Sequence, residues 1–209
     1  MIFLSERLVF PDLHHADSNG VLAVGGDLSI ERLTLAYRSG IFPWYAEGEP
    51  IVWYSPNPRM VLFPEDLRVS NSMRQLINSK KYTVTFNTHF ESVISYCKSI
   101  DRSKQGEHST WITNEMREAY IKLHYCGLAK SVEVWDVNKL VGGLYGVEVG
   151  NIFCGESMFS KVSNASKLAF ITLVRQNKYA LIDCQVYNPH LATLGAKEID
   201  RKEFIKFLN

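Results

Sequence analysis

The sequence predicts an α/β (α+β) fold, with a mixed sheet as the main body and a small N-terminal unit. Strand-like and helix-like patterns alternate beyond residue 58, which is typical of a mixed sheet covered by helices. Residues 55–58 (SPNP) contain two prolines, which exclude regular structure there. A length of 209 residues fits one large domain with a small appendage. We therefore expect a small domain over residues 1–57 and a larger one over 58–209.

The part before residue 58 contains one clear helical pattern among turn formers and aromatic residues. The pattern runs from Ser29 to about Ser39. Ser29 is a suitable N-cap because its hydroxyl can accept a backbone N–H, and Gly40 lies where the helix should stop. We predict one short helix here.

The larger part alternates strand and helix patterns up to residue 186. Short apolar runs and period-two alternation predict strands at residues 60–63, 82–87, 130–137, 139–149, 151–159 and 181–186. Apolar residues at helical spacing predict helices at residues 71–79, 90–99, 113–126 and 164–178. The last helix has Ser163 or Asn164 as its cap, and its mostly apolar surface predicts that it is buried.

Composition limits the class of protein. The net charge is +1, so the chain lacks the basic field of a dedicated nucleic-acid coat, and any RNA would bind through a local patch. The four cysteines form no CxxC pair, which predicts reduced thiols and no disulfide scaffold. No apolar run approaches the roughly 18 residues of a membrane helix. We expect a soluble cytoplasmic protein that does not enter the membrane.

The sequence contains no recognisable motif for a metal or a nucleotide. No HxxxH or HExxH pattern is present, so a metal site is not expected. No GxGxxG or GxxxxGK[ST] loop is present, which argues against ATP and dinucleotides. We therefore expect no metal and no cofactor.

Three polar side chains lie inside otherwise apolar strands. Asp183 and Gln185 fall within residues 181–186, where alternation should put them on one face of the sheet. Glu156 falls within residues 153–159 (FCGESMF). Buried polar groups are costly unless they are paired, so these residues either hold strands together through hydrogen bonds or form a site. Their spacing alone leaves both alternatives open.

Nine blocks of sequence resemble a known family. In chain order they are residues 25–28 (GGDL), 40–44 (GIFPW), 53–56 (WYSP), 109–113 (STWIT), 142–146 (GGLYG), 153–160 (FCGESMFS), 164–167 (NASK), 183–185 (DCQ) and 190–196 (HLATLGA). They cover nearly the whole chain and closely resemble the leucyl/phenylalanyl-tRNA–protein transferase family. The resemblance implies a small N-terminal domain and an N-acetyltransferase-like domain of the acyl-CoA N-acyltransferase class.

The resemblance also implies a reaction. Leucine or phenylalanine moves from its tRNA ester to the α-amine of a protein that begins with Arg or Lys, and in bacteria this marks the protein for degradation through the N-degron pathway. The ester is already activated, so no further energy source is required. We expect aminoacyl-tRNA and an acceptor protein as partners of a monomeric enzyme.

The resemblance implies that the catalytic residues are Glu156, Asp183 and Gln185. An α-amine has a pKa of roughly 8, so its neutral form is well populated near neutral pH. Alignment of amine and ester therefore matters more than a strong base, and the oxyanion needs hydrogen-bond donors. Our hypothesis is that Asp183 orients Gln185, that Gln185 holds or deprotonates the amine, and that Glu156 binds the amine or the basic acceptor side chain.

Donor binding requires a stacking platform for the terminal adenosine and an apolar pocket for the amino acid. Trp44 and Trp111 match family positions for stacking, with ordinary aromatic core as the alternative. The pocket candidates, each also a plausible core residue, are Leu144, Phe153, Phe170 and Leu173. Such a pocket rejects polar side chains, which would lose hydrogen bonds to water. Tyr37 and Tyr120 either donate hydrogen bonds around the site or are half-buried surface tyrosines.

Three cations follow or lie on a helical segment and are candidates to contact the tRNA body. They are Arg74, Lys80 and Lys81. The alternative for each is solvated surface charge.

Two other functions stay open from the sequence. An acetyl-CoA-dependent N-acetyltransferase would share the fold class, but it usually carries an Arg/Gln-x-x-Gly-x-Gly/Ala loop, which is not found before the helix at 164–178. An RNA-binding module would use aromatic platforms, but it has no obvious use for the internal polar pair of Asp183 and Gln185.

Overall fold

Two β-sheets with packed helices form the fold in the computed structural model, which describes residues 2–100 and 111–208. The smaller sheet has four strands and the larger sheet has seven. The strands of the larger sheet run in mixed directions. The expected α/β class, with a mixed main sheet and a small N-terminal unit, is confirmed.

The small unit is built from short strands and one helix. The strands are β1 (Phe3–Leu4), β2 (Val21–Gly25), β3 (Phe42–Pro43) and β4 (Val52–Tyr54), in the order β1-β2-β4-β3. Helix α1 spans Ile30–Arg38, as the sequence predicts. The hydroxyl of Ser29 accepts the N–H of Arg32 at 3.3 Å, and Gly40 turns the chain after the helix with a φ of +74°.

The larger sheet follows the order β11-β5-β10-β9-β8-β7-β6. Its strands are β5 (Arg59–Leu62), β6 (Thr83–Phe86), β7 (Ala129–Asp136), β8 (Lys139–Val149), β9 (Ile152–Ser160), β10 (Leu181–Gln185) and β11 (Lys197–Ile199). The helices are α2 (Asn71–Asn78), α3 (Phe90–Ser99), α4 (Asn114–Tyr125), α5 (Ala165–Val174), α6 (Pro189–Thr193) and α7 (Arg201–Ile205). None of the helices in the described ranges is both long and apolar enough to span a membrane.

Helix α5 begins where the sequence predicts, with Asn164 as the N-cap residue, but it ends earlier than predicted. The helix ends at Val174, and three residues later Asn177 has a φ of +52°, a left-handed conformation that cannot continue an α-helix. Asn164 occupies the N-cap position with a φ of +67°, but its side chain makes no capping hydrogen bond. The hydroxyl of Ser160 instead accepts the N–H of Ser166 at 2.8 Å. The end of β9 therefore caps the helix.

A glycine lets helix α5 approach the sheet closely. A Cβ added at Gly142 in β8 would lie 2.5 Å from the Cβ of Ala165, which is too close for two carbon atoms. The first turn of α5 can therefore rest directly on β8, next to the end of β9.

The larger sheet is covered on both faces. Helices α3 and α4 share one hydrophobic core with the small unit, while α2 and α5 contribute to a second core. Leu144 and Tyr145 are neighbours in β8 but belong to different cores, as the alternation of a strand requires. Trp53 of the small unit and Phe204 of α7 lie in the same core, so this core joins the two ends of the chain.

Strands β9 and β10 pair in parallel as far as Cys154 opposite Asp183. Just beyond that level each strand carries a bulge. Glu156 is the extra residue in β9, because Tyr145 and Gly146 pair with residues 157 and 155. In β10, residues 183 and 185 pair with two consecutive residues of β5. Cys184 is therefore the extra residue of this bulge. Bulges redirect side chains and are frequent next to functional sites.

Candidate functional site

A pocket of about 560 Å³ opens where the bulged strands β9 and β10 stop pairing. This volume is within the range of roughly 300–1,000 Å³ that is typical of small-ligand sites. Its apolar wall includes Leu144, Phe153, Met158, Phe170, Ile182 and Leu191. Polar groups face the same cavity, so it can hold an apolar side chain beside a polar reacting group.

The pocket gathers residues that are far apart in the sequence. It is lined by eight of the predicted site residues: Trp44, Trp111, Leu144, Phe153, Glu156, Phe170, Asp183 and Gln185. Leu173 does not line the pocket, because it lies on α5 and its side chain is buried in the second core. Arg74, Lys80 and Lys81 are exposed around the end of α2, and they do not line the pocket either.

The carboxylate of Asp183 is held by Arg59, which the sequence did not single out. Nε and Nη2 of Arg59 donate to Oδ1 and Oδ2 at 2.8 and 2.7 Å, and both side chains are buried. Oδ1 also accepts the backbone N–H of Gln185 at 2.9 Å. Asp183 therefore contacts Gln185 through the backbone N–H, while the side-chain amide has a different partner.

The side chain of Gln185 is fixed by a different partner. Its Nε2 donates to Oε1 of Glu156 at 2.7 Å. Its φ is +65°, a left-handed conformation that is uncommon outside glycine and often occurs at functional sites. Since Cys184 is inserted as a bulge, simple alternation does not govern the direction of the Gln185 side chain.

Two tyrosines enclose the carboxyl group of Glu156 from behind the pocket. Tyr37 contacts Oε1 at 2.8 Å, Tyr120 contacts Oε2 at 3.2 Å, and the two phenol oxygens contact each other. Both hydroxyls donate to the carboxyl group, so the two tyrosines fix the orientation of Glu156.

Electrostatics favour the protonated, uncharged form of Glu156. Burial raises the pKa of Glu156 from its usual 4.5 to about 8, and the charge of Asp183 acts in the same direction. Hydrogen bonds from Tyr37, Tyr120 and Gln185 act in the opposite direction but do not outweigh burial. Burial and the nearby Glu156 also raise the pKa of both tyrosines well above 10.0. Near neutral pH the cluster is therefore mainly uncharged.

The surroundings of the pocket do not supply an activated thiol. Burial raises the pKa of Cys154 and of Cys184, so both remain thiols and neither is poised to attack an ester. Within residues 2–100 and 111–208, no cluster of three or more His, Cys, Asp or Glu side chains is arranged to hold a metal ion.

The arrangement suits the positioning of an amine. Because Nε2 of Gln185 donates to Glu156, the amide oxygen faces another direction, and no described residue donates a hydrogen bond to it. An amine in the pocket can donate to this oxygen and so direct its lone pair.

Several residues of the site carried no signal in the sequence. Arg59, which contacts Asp183 from outside the pocket lining, begins a short strand, where a charged residue normally indicates an exposed strand end. The only indication of an arginine was that a buried Asp183 requires a cationic partner. Met158, Ser160, Asn188 and His190 line the pocket, although their residue types are ordinary for a strand end or a turn.

Comparison with known protein families identifies this chain as an acyltransferase. A family model described as leucyl/phenylalanyl-tRNA protein transferase matches residues 61–209. The model of the N-terminal domain of the same family matches residues 26–57. The chain belongs to the leucyl/phenylalanyl-tRNA–protein transferase family and is thus an aminoacyltransferase.

Relatives with this name align along nearly the whole chain. The leucyl/phenylalanyl-tRNA–protein transferase of Flavobacterium johnsoniae is 58% identical and covers 100% of this chain and 99% of the relative. The leucyl/phenylalanyl-tRNA–protein transferase of Pectobacterium carotovorum is 52% identical. That alignment covers 98% of this chain and 88% of the relative. A solved structure of a functionally unknown conserved protein from Staphylococcus epidermidis is 6% identical, with a TM-score of 0.48 over 86% of this chain and 68% of that chain.

Proposed function

We propose that this protein transfers leucine or phenylalanine from aminoacyl-tRNA to the N-terminal Arg or Lys of an acceptor protein, forming a peptide bond. The observation that carries the proposal is the apolar wall of the pocket beside the hydrogen-bonded pair of Gln185 and Glu156. The wall suits the side chain of the donor amino acid. The polar pair suits the α-amine of the acceptor.

The donor is assigned to the apolar wall and the tryptophans. Leu144, Phe153 and Phe170 surround the leucine or phenylalanine side chain, and Leu173 supports the core beside them. Trp44 and Trp111 are half-buried in the pocket lining, where one face of each ring can stack on the terminal adenosine.

The transfer step is direct attack by the neutral acceptor amine. The amine nitrogen bonds to the ester carbonyl carbon, and the bond from that carbon to the ribose oxygen breaks. A proton leaves the nitrogen, and the released ribose oxygen gains one. Gln185 accepts a hydrogen bond from the amine and aligns it with the ester, and alignment of this kind can be worth about 7–11 kcal/mol.

Recognition of the basic acceptor is assigned to Glu156. The other pocket carboxylate, Asp183, is already neutralised by Arg59. Glu156 has no cationic partner among the described residues, so a cation that enters the pocket can interact with it. An adjacent positive charge lowers the pKa of a carboxyl, so acceptor binding would release its proton.

The remaining features of the proposal concern the tRNA body and the cell. Arg74, Lys80 and Lys81 contact tRNA phosphates outside the pocket. The enzyme acts as a monomer in the cytoplasm and marks acceptors for degradation through the N-degron pathway. The chain divides into a small N-terminal domain over residues 1–57 and a catalytic domain over 58–209.

One assay tests this function. The protein is incubated with labelled Leu-tRNA and a peptide that begins with Arg, beside matched peptides that begin with Lys or Asp. We expect label in the Arg and Lys peptides, none in the Asp peptide, and none after prior ribonuclease treatment. Transfer that depends on acetyl-CoA would instead indicate an acetyltransferase, and tRNA binding without any transfer would indicate a binding module.

A further inference from the structure

Arg59 connects separate parts of the chain to strand β10. Its guanidinium carbon lies 4.8 Å from the ring centroid of Phe42 and 4.7 Å from that of Phe204. Nη1 donates to the carbonyl of Gly40 at 3.3 Å. The other two nitrogens donate to the two carboxylate oxygens of Asp183. The small unit and helix α7 thus fix the guanidinium, and the guanidinium fixes Asp183.

The same carboxylate fixes the backbone of Gln185. Oδ1 of Asp183 accepts the Gln185 N–H at 2.9 Å, at the residue whose φ is +65°. A left-handed conformation is unfavourable for a residue with a Cβ, so it persists only when surrounding contacts impose it. The orientation of the Gln185 side chain toward Glu156 therefore depends on the carboxylate of Asp183, which Arg59 fixes in position.

We propose that Arg59 is a positioning residue for aminoacyl transfer, which acts through Asp183 to keep Gln185 in the geometry that receives the acceptor amine. The proposal rests on the proposed function. Arg59 lies outside both matched ranges, residues 26–57 and 61–209, and in space it joins the elements on either side. The competing interpretation is an ion pair that only stabilises the fold.

A paired substitution separates positioning from simple stabilisation. Loss of one partner of a buried pair leaves an unpaired charge and destabilises the protein, whereas replacement of both avoids that penalty. We therefore compare the double variant Arg59→Met/Asp183→Asn with wild type. We expect a folded protein whose kcat is lowered about 10- to 100-fold, while KM for aminoacyl-tRNA changes little.

The chain offers a matched control. Arg32 is also fully buried, and its Nε lies 3.2 Å from Oδ2 of Asp27 in the small unit, away from the pocket lining. The double variant Arg32→Met/Asp27→Asn removes the same two charges from a pair that lies outside the pocket and in which Asp27 is 52% exposed. We expect its kcat per folded molecule to match wild type. Arg59→Lys should have a kcat between those of the Arg59→Met/Asp183→Asn variant and wild type. Its ammonium group keeps the positive charge but cannot make the bidentate contact with both oxygens of Asp183.

Hydrogen exchange of the peptide covering residues 181–187 supplies a readout that does not require transfer. We expect faster exchange in the Arg59 variants than in wild type and in the Arg32 control. Wild-type kcat in the folded Arg59→Met/Asp183→Asn protein would overturn the proposal. If that double variant does not fold, the proposal would be overturned by an Arg59→Lys protein whose kcat and hydrogen-exchange rate both equal those of wild type. If wild type itself transfers nothing, the proposed function fails, and the exchange data still decide whether Arg59 positions Gln185.

Discussion

Nε2 of Gln185 donates a hydrogen bond of 2.7 Å to Oε1 of Glu156, and this bond joins the bulges of two neighbouring strands. Glu156 is the extra residue of one bulge, and Gln185 directly follows the extra residue of the other, just where the pocket opens. The bond leaves the amide oxygen of Gln185 for a ligand. It also couples the position of that oxygen to the protonation state of Glu156.

The first prediction concerns the amide of Gln185. Gln185→Ala removes the acceptor for the amine, so we expect kcat to fall about 100-fold while the protein stays folded, because misalignment at a reacting group has a cost of that size. Single-turnover transfer from preformed aminoacyl-tRNA measures it. Gln176→Ala, in an exposed turn after α5, is the control. Full transfer rates in Gln185→Ala and Asp183→Ala would show that the assignment is wrong.

The second prediction concerns the proton on Glu156. Its pKa is about 8 in the folded protein and near 4.5 when exposed, so the stabilising effect of this group is complete below pH 4.5 and is lost as the pH rises to about 8. Glu156→Gln resembles the neutral acid and cannot ionise. We expect the melting temperature of wild type, relative to this variant, to decrease steadily across that interval.

Thermal unfolding at a series of pH values from below 4.5 to above 8 provides the measurement. Glu198→Gln, on the exposed part of β11, is the matched control and should not reproduce the trend. A difference between wild type and Glu156→Gln that stays constant with pH would contradict the neutral cluster of Glu156, Tyr37 and Tyr120.

The third prediction concerns the tryptophans of the pocket. Trp111→Ala should weaken binding of aminoacyl-tRNA by about 1–3 kcal/mol, the usual loss of one base–aromatic stack, whereas Trp111→Phe should retain part of it. The same comparison applies to Trp44. KM for aminoacyl-tRNA measures the effect, and Trp135→Phe, outside the pocket lining, is the control. An unchanged KM in both alanine variants would mean that these rings only pack in the core and do not stack on the adenosine.

The fourth prediction concerns the cations near the end of α2. Replacement of Arg74, Lys80 and Lys81 by Ala should lower kcat/KM for aminoacyl-tRNA and flatten its dependence on salt, because fewer counterions are released on binding. A control with the same loss of charge replaces three exposed lysines elsewhere: Lys122, Lys202 and Lys206. Equal salt slopes in the two triple variants would mean that the α2 cations are only solvated surface charge.

Local patterns sufficed for the main elements of the larger sheet. Strands β7 and β8 are long enough for their alternation to be read directly, and helix α1 has both its cap at Ser29 and its stop at Gly40 in the sequence. The two-residue strands β1 and β3 are too short to carry a period, so only pairing with neighbouring strands defines them. The sequence also marked Glu156, Asp183 and Gln185 as polar residues in apolar strands.

The partners of those residues were decided only by the tertiary structure. Arg59 is 124 positions from Asp183, and Tyr37 is 119 positions from Glu156, so no local pattern relates either pair. Two bulges, which are defined only by how strands pair, turn Glu156 and Gln185 toward each other. The sequence by itself determined which side chains needed partners. The packing of the small unit, helix α4 and the sheet determined the partners, because burial and pairing are properties of the assembled core.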